Sequence, residues 1–405
     1  MREMPADWTV STVSDCFEMT LGKMLNQGAS SGRDQRQYLT NRNVQWGRFE
    51  LDDLEVMHFS EEERRTYSLR PGDLLVTEGG EIGRTAMWNG ELADCYFQKS
   101  LHRLRAIGPM IPGYMANYME FSARRGLFSH LAGQTSIAHL TKEKLGSWTV
   151  VYPCRTEEQR AIVAVLDAVA DEERAIEASI AKLRTVRRGA QMSLMSSIRH
   201  SHAPLRTVIR GIDSGWSPIC EPHAPGAAEW GVLGLGAVTS GQFQVDQAKR
   251  LPQGLSPRAD LEVGPGDVLI ARANGSKRLV GAGCVVPVNV RKRLMLSDLI
   301  YRLNPDRSFL EPNFLGLLIT APPFRRQVES AMRSTSGQFK ISKGDMLDFQ
   351  VPLISLVEQR DIVSTMAAFD SRIDQERAQL AKLRRLKQGL TDDLLSGKVR
   401  VKDLA

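Results

Sequence analysis

At 405 residues the chain is too long for one ordinary hydrophobic core, and 42% hydrophobic with 25% charged residues is the balance of a folded globular protein. The 53 Lys and Arg against 47 Asp and Glu, a net +6, lean toward a polyanionic partner, because basic side chains that neutralise phosphates release condensed counterions. No run approaches the ~20 apolar residues that span a bilayer, Met1 to Val10 carries Arg2, Glu3 and Asp7 where a signal peptide needs apolar residues, and Cys16, Cys95, Cys154, Cys220 and Cys284 form no CxxC pair. Disulfide and zinc frameworks are therefore not expected, and a cytoplasmic location is.

In chain order, residues 1–153 are rich in Gly, Pro and short β-branched or aromatic runs, and Asp73 to Thr77, entered through Pro-Gly, reads as a strand leaving a turn. Residues 154–200 are dominated from Thr156 to Ser197 by Ala, Glu, Lys, Arg and Leu without proline, which predicts one long helix. The strand-rich texture returns over residues 201–352, where Asp267 to Ala271 again follows Pro-Gly. A second long helix is predicted inside residues 353–405, from Leu356 to about Ser396.

The second half restates the first at a shift close to 200. Glu158-Gln159-Arg160 returns as Glu358-Gln359-Arg360, and Ala181-Lys182-Leu183-Arg184 as Ala381-Lys382-Leu383-Arg384. Upstream the match is looser but keeps its order: Gly72-Asp73-Leu74-Leu75 with Gly266-Asp267-Val268-Leu269, and His102-Arg103-Leu104 with Tyr301-Arg302-Leu303. Chance explains one short match, not an ordered series.

In the first helix Ile162, Leu166, Val169, Ile176, Ile180, Leu183 and Leu194 fall on one three-four stripe, interrupted at Glu173 and Arg187. Ile362, Met366, Phe369, Ile373, Leu380, Leu383 and Leu394 repeat the phase, interrupted at Glu376 and Lys387. Each seam lacks a partner in its own half, so the two helices are expected to pair. An antiparallel pair makes the halves pseudo-twofold mates, and at about 1.5 Å per residue each helix would be near 60 Å long. The expected fold is α+β: two strand-rich globular domains separated by two long helices in an antiparallel coiled coil. A plain dimerisation coil explains the seam equally well, though not why a different globular domain precedes each helix.

The segments Tyr38 to Leu51, Gly72 to Gly90 and Phe97 to Leu104, the paired Glu-Gln-Arg-led helices and the terminal Leu394 to Val401 resemble the specificity subunits of type I restriction-modification systems, over essentially the whole chain. The resemblance implies two target-recognition domains that each read one half of a split, asymmetric double-stranded DNA site. It also implies a helix pair that sets the spacer and docks two methyltransferase subunits, with motor-nuclease subunits joining for restriction.

No catalytic site is expected on this chain. An adenine methyltransferase needs an (N/D)PP(Y/F) loop, and Asn304-Pro305-Asp306 fails it; a motor needs GxxxxGKS/T, and Gly79 to Arg84 is too short and lacks the lysine. No metal-ligand spacing is present among the histidines. S-adenosylmethionine, ATP and Mg are expected on partner subunits, with no cofactor or metal here. A self-sufficient methyltransferase or nuclease, and a scaffold that never reads DNA, are the rival readings.

Readout of bases wants Arg or Lys for guanine and Asn or Gln for adenine on loops or helices that reach the groove. In the first domain Arg42, Asn43, Arg84, Gln98, Lys99, His102, Gln134, Thr135 and Ser136 are the candidates; in the second, Arg272, Asn274, Ser276, Lys277, Arg278, Gln338, Lys340 and Lys343. Each is also compatible with an ordinary solvated side chain. Arg103 and Arg302, flanked by apolar residues at strand spacing, suit a structural salt bridge as well as a phosphate contact. Trp46, Trp88 and Trp148 read as core.

Overall fold

Each strand-rich segment is closed by pairing its own two ends: Trp8–Thr12 runs antiparallel to Thr149–Pro153, and His202–Pro204 to Gln350–Pro352. The computed structural model describes residues 4–128, 139–198, 201–335 and 337–403. By its internal contacts the chain divides into two units, Met1–Glu177 with Ala378–Ala405, and Ala178–Arg377. Both cuts fall inside the long helices, so each head takes part of both helices into its own unit.

In the first unit a four-stranded antiparallel sheet runs in the order Phe17–Leu21, Leu101–Ala106, Leu74–Thr77, Thr85–Met87. A three-stranded sheet places Gln35–Leu39 between Glu55–His58, antiparallel, and Tyr96–Phe97, parallel. The second unit repeats both: Ile209–Ser214, Ile300–Pro305, Val268–Ala271, Gly283–Val285, and then Ala248–Arg250, Gly231–Leu233, Leu294–Met295. Alternation along one strand divides each head into two cores. Leu74 and Val76 join the cluster under the helix Pro112–Arg124, with Tyr114, Met115 and Tyr118, while Leu75 joins Trp88, Phe97 and Leu39. Val268 and Ile270 likewise pack with Phe314 and Leu318, and Leu269 and Ala271 with Val232 and Leu296. A strand covered on both faces reads as a continuous apolar run, which is why the two Pro-Gly-Asp-led segments look alike.

The long helices span Thr156–Ser197 and Leu356–Leu395. A capping box starts the second: Ser355 N–H donates to Glu358 Oε2 at 2.9 Å and Glu358 N–H to Ser355 Oγ at 3.3 Å. All fourteen seam residues are withdrawn from solvent. Ile162, Leu166, Ile176, Ile180, Met366, Ile373, Leu380, Leu383 and Leu394 are buried; Val169, Leu183, Leu194, Ile362 and Phe369 are half-buried. The seam does more than join helices, because Ile162, Leu166 and Leu394 belong to the first head's core beside Tyr114 and Trp8, and Ile362 packs on the second head's core.

The helices run antiparallel. In the first unit Glu173 accepts from Arg384 Nε and Lys387 Nζ, each at 2.9 Å, and Arg400, just past the second helix, reaches back to Glu158 at 2.5 Å and to Asp7 at 2.6 Å. Moving down one helix is moving up the other. In the second unit Arg187 pairs with Asp370 at 2.6 Å. Three of the four charged interruptions of the seam are thus cross-helix ion pairs; Glu376 is held by Arg372 of its own helix at 2.8 Å.

Burial would raise the Glu173 carboxyl, but the hydrogen bonds from Lys387 and Arg384 outweigh it and hold the group below its ordinary value of 4.5. Its stabilisation is therefore present above about pH 4.5 and lost as pH falls through the lowered native value. Lys387→Glu, which sets two carboxylates side by side, is expected to cost the first unit about 1–2 kcal/mol in a thermal melt. The Glu173→Lys/Lys387→Glu exchange should recover most of it; a double-mutant cycle without coupling would remove these charges from the account of helix register.

Candidate nucleic-acid interface

The second head gathers its candidate readers around a small sheet. Ala273–Asn274 and Arg333–Thr335 flank Gln338–Lys340, so that Ala273, Lys340 and Arg333 lie in one row and Asn274, Phe339 and Ser334 in the next. Residues two apart on a strand share a face, which places Gln338 with Lys340. The cations are seated on aromatic rings: Lys277 Nζ lies 5.1 Å from the Phe339 centroid, and Arg272 and Lys343 lie 5.5 Å and 5.6 Å from that of Tyr301. The negative face of a ring attracts a cation without cancelling its charge. Arg272 also donates to Asp298 O at 3.2 Å, and Asn274 Oδ1 accepts from Ser276 N–H at 2.9 Å, shaping the turn that carries exposed Ser276, Lys277 and Arg278.

Among the described residues, Lys277, Arg278, Lys340 and Lys343 form no ion pair; Arg333 meets Asp345 at 3.3 Å. The small sheet and its flanking turn thus carry several cations without an ion pair, beside the amides Asn274 and Gln338, the donor set suited to phosphates and purine edges.

The first head's candidates do not converge in the same way. Asn43 is 3% exposed: its Oδ1 accepts from Thr40 N–H and Oγ–H, each at 2.9 Å, and its Nδ2 donates to Glu50 O and Asp53 O. His102 is fully buried, with Nε2 2.8 Å from Leu140 O, and burial pushes its pKa down. Both are corrections to the expectation of outward-facing readers, because neither leaves a polar edge for a base. Arg84 is largely buried and donates to Asn41 O at 2.7 Å and Gln45 Oε1 at 3.2 Å, with Glu81 3.6 Å away. Arg42 is exposed but paired with Glu55 at 2.9 Å, the carboxylate that also takes the Tyr38 hydroxyl. Gln98 is half-buried and accepts from Ser100 Oγ at 3.0 Å; Lys99 beside it is exposed. Gln134, Thr135 and Ser136 lie outside the described residues.

Arg103 and Arg302 are framework. Arg103, 2% exposed, donates to Thr66 O, Ser68 O and Thr20 Oγ1. Arg302 holds Asp213 at 2.8 Å and Asp267 at 3.3 Å together with Glu262 O and Asp260 O. Trp88 and Trp148 are buried, whereas Trp46 is half-buried and donates its indole N–H to Glu81 at 2.7 Å.

A pair missed by the residue-type argument joins each head to its helix. Gln159 Oε1 accepts from Ile111 N–H at 2.9 Å while Nε2 donates to Pro109 O and Pro153 O; Gln359 Oε1 accepts from Glu311 N–H at 2.8 Å while Nε2 donates to Phe309 O and Ile354 O. Both are buried. Their signal was the shared Glu-Gln-Arg shift of 200, legible as repetition but not as a joint. Among the described residues no cluster of His, Cys, Asp or Glu is arranged to hold a metal ion, and no helix is long and apolar enough to cross a membrane.

Comparison with known proteins agrees with this plan. The family model described as the type I restriction modification DNA specificity domain matches residues 5–183. The chain is 30% identical over 189 residues to the Type I restriction enzyme EcoEI specificity subunit of Escherichia coli, a match spanning 46% of this chain and 32% of that one. It is 21% identical over 425 residues to the EcoKI specificity subunit of E. coli strain K12, spanning 98% of this chain and 90% of the relative. Among solved structures, the S subunit of a type I restriction-modification system from M. genitalium aligns over 97% of both chains with a TM-score of 0.55 at 16% identity. A chain from the structure addressing complex assembly and conformational transition of the type I R-M system aligns over 98% of this chain and 100% of its own, with a TM-score of 0.62 at 18% identity. The matched family model, the likeness to two curated specificity subunits and the shared fold agree: residues 5–183 match the type I restriction modification DNA specificity domain, and the chain as a whole is similar to type I restriction-modification specificity subunits.

Proposed function

We propose that this chain reads a bipartite, asymmetric site on double-stranded DNA, one half with each head, and performs no chemical step itself. The helix pair sets the unread spacer and scaffolds two methyltransferase subunits and, for restriction, motor-nuclease subunits. S-adenosylmethionine, ATP and Mg act on those partners, and the assembly works in the cytoplasm. The observation that carries the reading is one frame with two surfaces: Gln159 and Gln359, Arg103 and Arg302, and the two sheet orders recur, while among the described residues the ring-seated cations differ, Arg272 and Lys343 on Tyr301 and Lys277 on Phe339 in the second head, Lys23 on Phe59 and Arg125 on Phe121 in the first. A repeated frame under different surfaces is what reading two unlike half-sites requires.

Methylation sequencing of a host carrying the chain with its methyltransferase is expected to show one split motif. Exchanging residues 1–153 for the corresponding head of another specificity subunit should change only one half of that motif. A change in both halves, or methyl transfer by the purified chain alone with S-adenosylmethionine and DNA, would refute the proposal.

A further inference from the structure

Each head leaves the first strand of its four-stranded sheet through the same device. Phe17–Leu21 is followed by Gly22 and Ile209–Ser214 by Gly215; a Cβ at Gly22 would lie 2.2 Å from Gln98 O, and one at Gly215 1.8 Å from Leu296 O. Only glycine permits that approach of two backbones. The next amide continues the match, Lys23 N–H donating to Phe97 O at 3.1 Å and Trp216 N–H to Leu296 O at 3.0 Å.

Beyond this anchor both loops turn outward and leave apolar side chains bare: Met24 is 56% exposed, Leu25 44% and Ile219 92%. A single exposed apolar residue means little. These occupy one point of a repeated frame, and in both heads that point adjoins cations. In the first head exposed Lys99 donates its backbone N–H to Lys23 O at 2.9 Å. In the second, Ser217 is hydrogen-bonded to the Asp298 side chain and accepts from Asp298 N–H at 3.2 Å, and Asp298 O accepts from Arg272, which shares the Tyr301 ring with Lys343. Ile219 thus stands two residues from a point tied to the basic patch, and its β-branched side chain is stiff about χ1, so little freedom is lost when it is covered.

We infer that these tips touch the bases: in each head the loop after Gly22 or Gly215 lays an apolar side chain against the apolar surface of base pairs, while the adjoining cations hold the phosphates. The inference rests on the DNA reading proposed above and names residues for it. Lys23 is neutralised by Glu63 and Asp298 adds a carboxylate at the second tip, but among the described residues Lys99 beside the first tip, and Arg272, Lys343 and the Arg258 seated on Trp216 near the second, have no ion pair, an excess of cations that favours duplex DNA over an apolar protein surface. Two sources of apolar base surface exist, the thymine methyl in the major groove and a base step opened by a wedge.

The test uses the full chain in complex with its methyltransferase and the duplex that complex modifies, titrated over a range of salt. Ile219→Ala, and Met24→Ala with Leu25→Ala, should each weaken specific binding on the order of ten-fold. The slope of log K against log salt should stay unchanged, because no phosphate contact is lost. Ile219→Leu should retain most of the affinity. Lys340→Ala should instead flatten the slope by about one, and Ile107→Ala, 64% exposed beyond the opposite end of the first sheet, should change neither quantity. Uracil in place of thymine reproduces the loss if a methyl is touched; 2-aminopurine brightens on binding if a step is opened. Wild-type affinity in the Ile219 and Met24/Leu25 variants, or a loss that comes with a flatter slope, overturns the inference and leaves DNA reading intact. A wild-type complex without sequence preference overturns the proposed function and this inference together.

Discussion

Arg103→Met should cost the first unit about 3–5 kcal/mol, read as a lowered urea midpoint with early proteolytic cleavage in residues 4–128. The guanidinium is 2% exposed and is the donor to Thr66 O and Ser68 O, so its loss leaves two carbonyls short of a partner where water does not easily reach them. Burial pulls Arg103 below its ordinary value and the like charge of Arg105 adds to the effect, outweighing the opposite charges of Asp73 and of Glu18, 3.6 Å away. At Arg302 burial also acts downward, but the hydrogen bond and charge of Asp213 with the charge of Asp267 outweigh it and the group is raised. Arg302→Met should therefore strand two carboxylates, yet cost less, about 2–3 kcal/mol, because the Asp213 side chain is 40% exposed and water screens part of the pairing. Equal stability of either variant and the wild type would return these arginines to the list of candidate phosphate contacts.

Gln159→Leu and Gln359→Leu are expected to loosen the joint between head and helix, each at a cost on the order of 3 kcal/mol. Every such change leaves one buried N–H and two carbonyls without their side-chain partner, and an unmade buried hydrogen bond costs about 1–3 kcal/mol. Hydrogen exchange gives a local readout, since the Ile111 and Glu311 amides lose their acceptors and should exchange faster than neighbours inside Pro112–Arg124 and Pro312–Thr320. Unchanged protection at those two amides would show that the helix start is held by packing alone.

These two sets of residues also mark where sequence reading stopped. Gln159 and Gln359 were visible as a repeat, and Arg103 and Arg302 as charges at strand spacing, but a polar residue's role depends on which backbone groups surround it in space. Asn43 shows the cost of judging by residue type: an asparagine suits adenine chemically, and this one spends its whole amide on the Thr40 to Asp53 turn. Tyr301 was legible only as a member of the repeat, and Phe339 not at all, because an aromatic seat for a cation joins elements far apart in the chain, Tyr301 with both Arg272 and Lys343.

What the sequence by itself determined is whatever depends on local periodicity and repetition: two strand-rich segments, two long helices, the seam from Ile162 to Leu194 and its mate from Ile362 to Leu394, and the shift of 200 that relates them. Those follow from side chains recurring every 3.6 or 2 residues, which any covered helix or strand imposes. Tertiary structure decided the rest. The antiparallel sense came from Glu173 meeting Lys387 and Arg384, the division of each head into two cores from a strand buried on both faces, and the grouping of Arg272, Lys277, Lys340 and Lys343 from a three-stranded sheet assembled across 66 residues between Asn274 and Lys340. Such pairings are set by which distant surfaces bury each other and which charges are left without partners, quantities that exist only once the chain has folded.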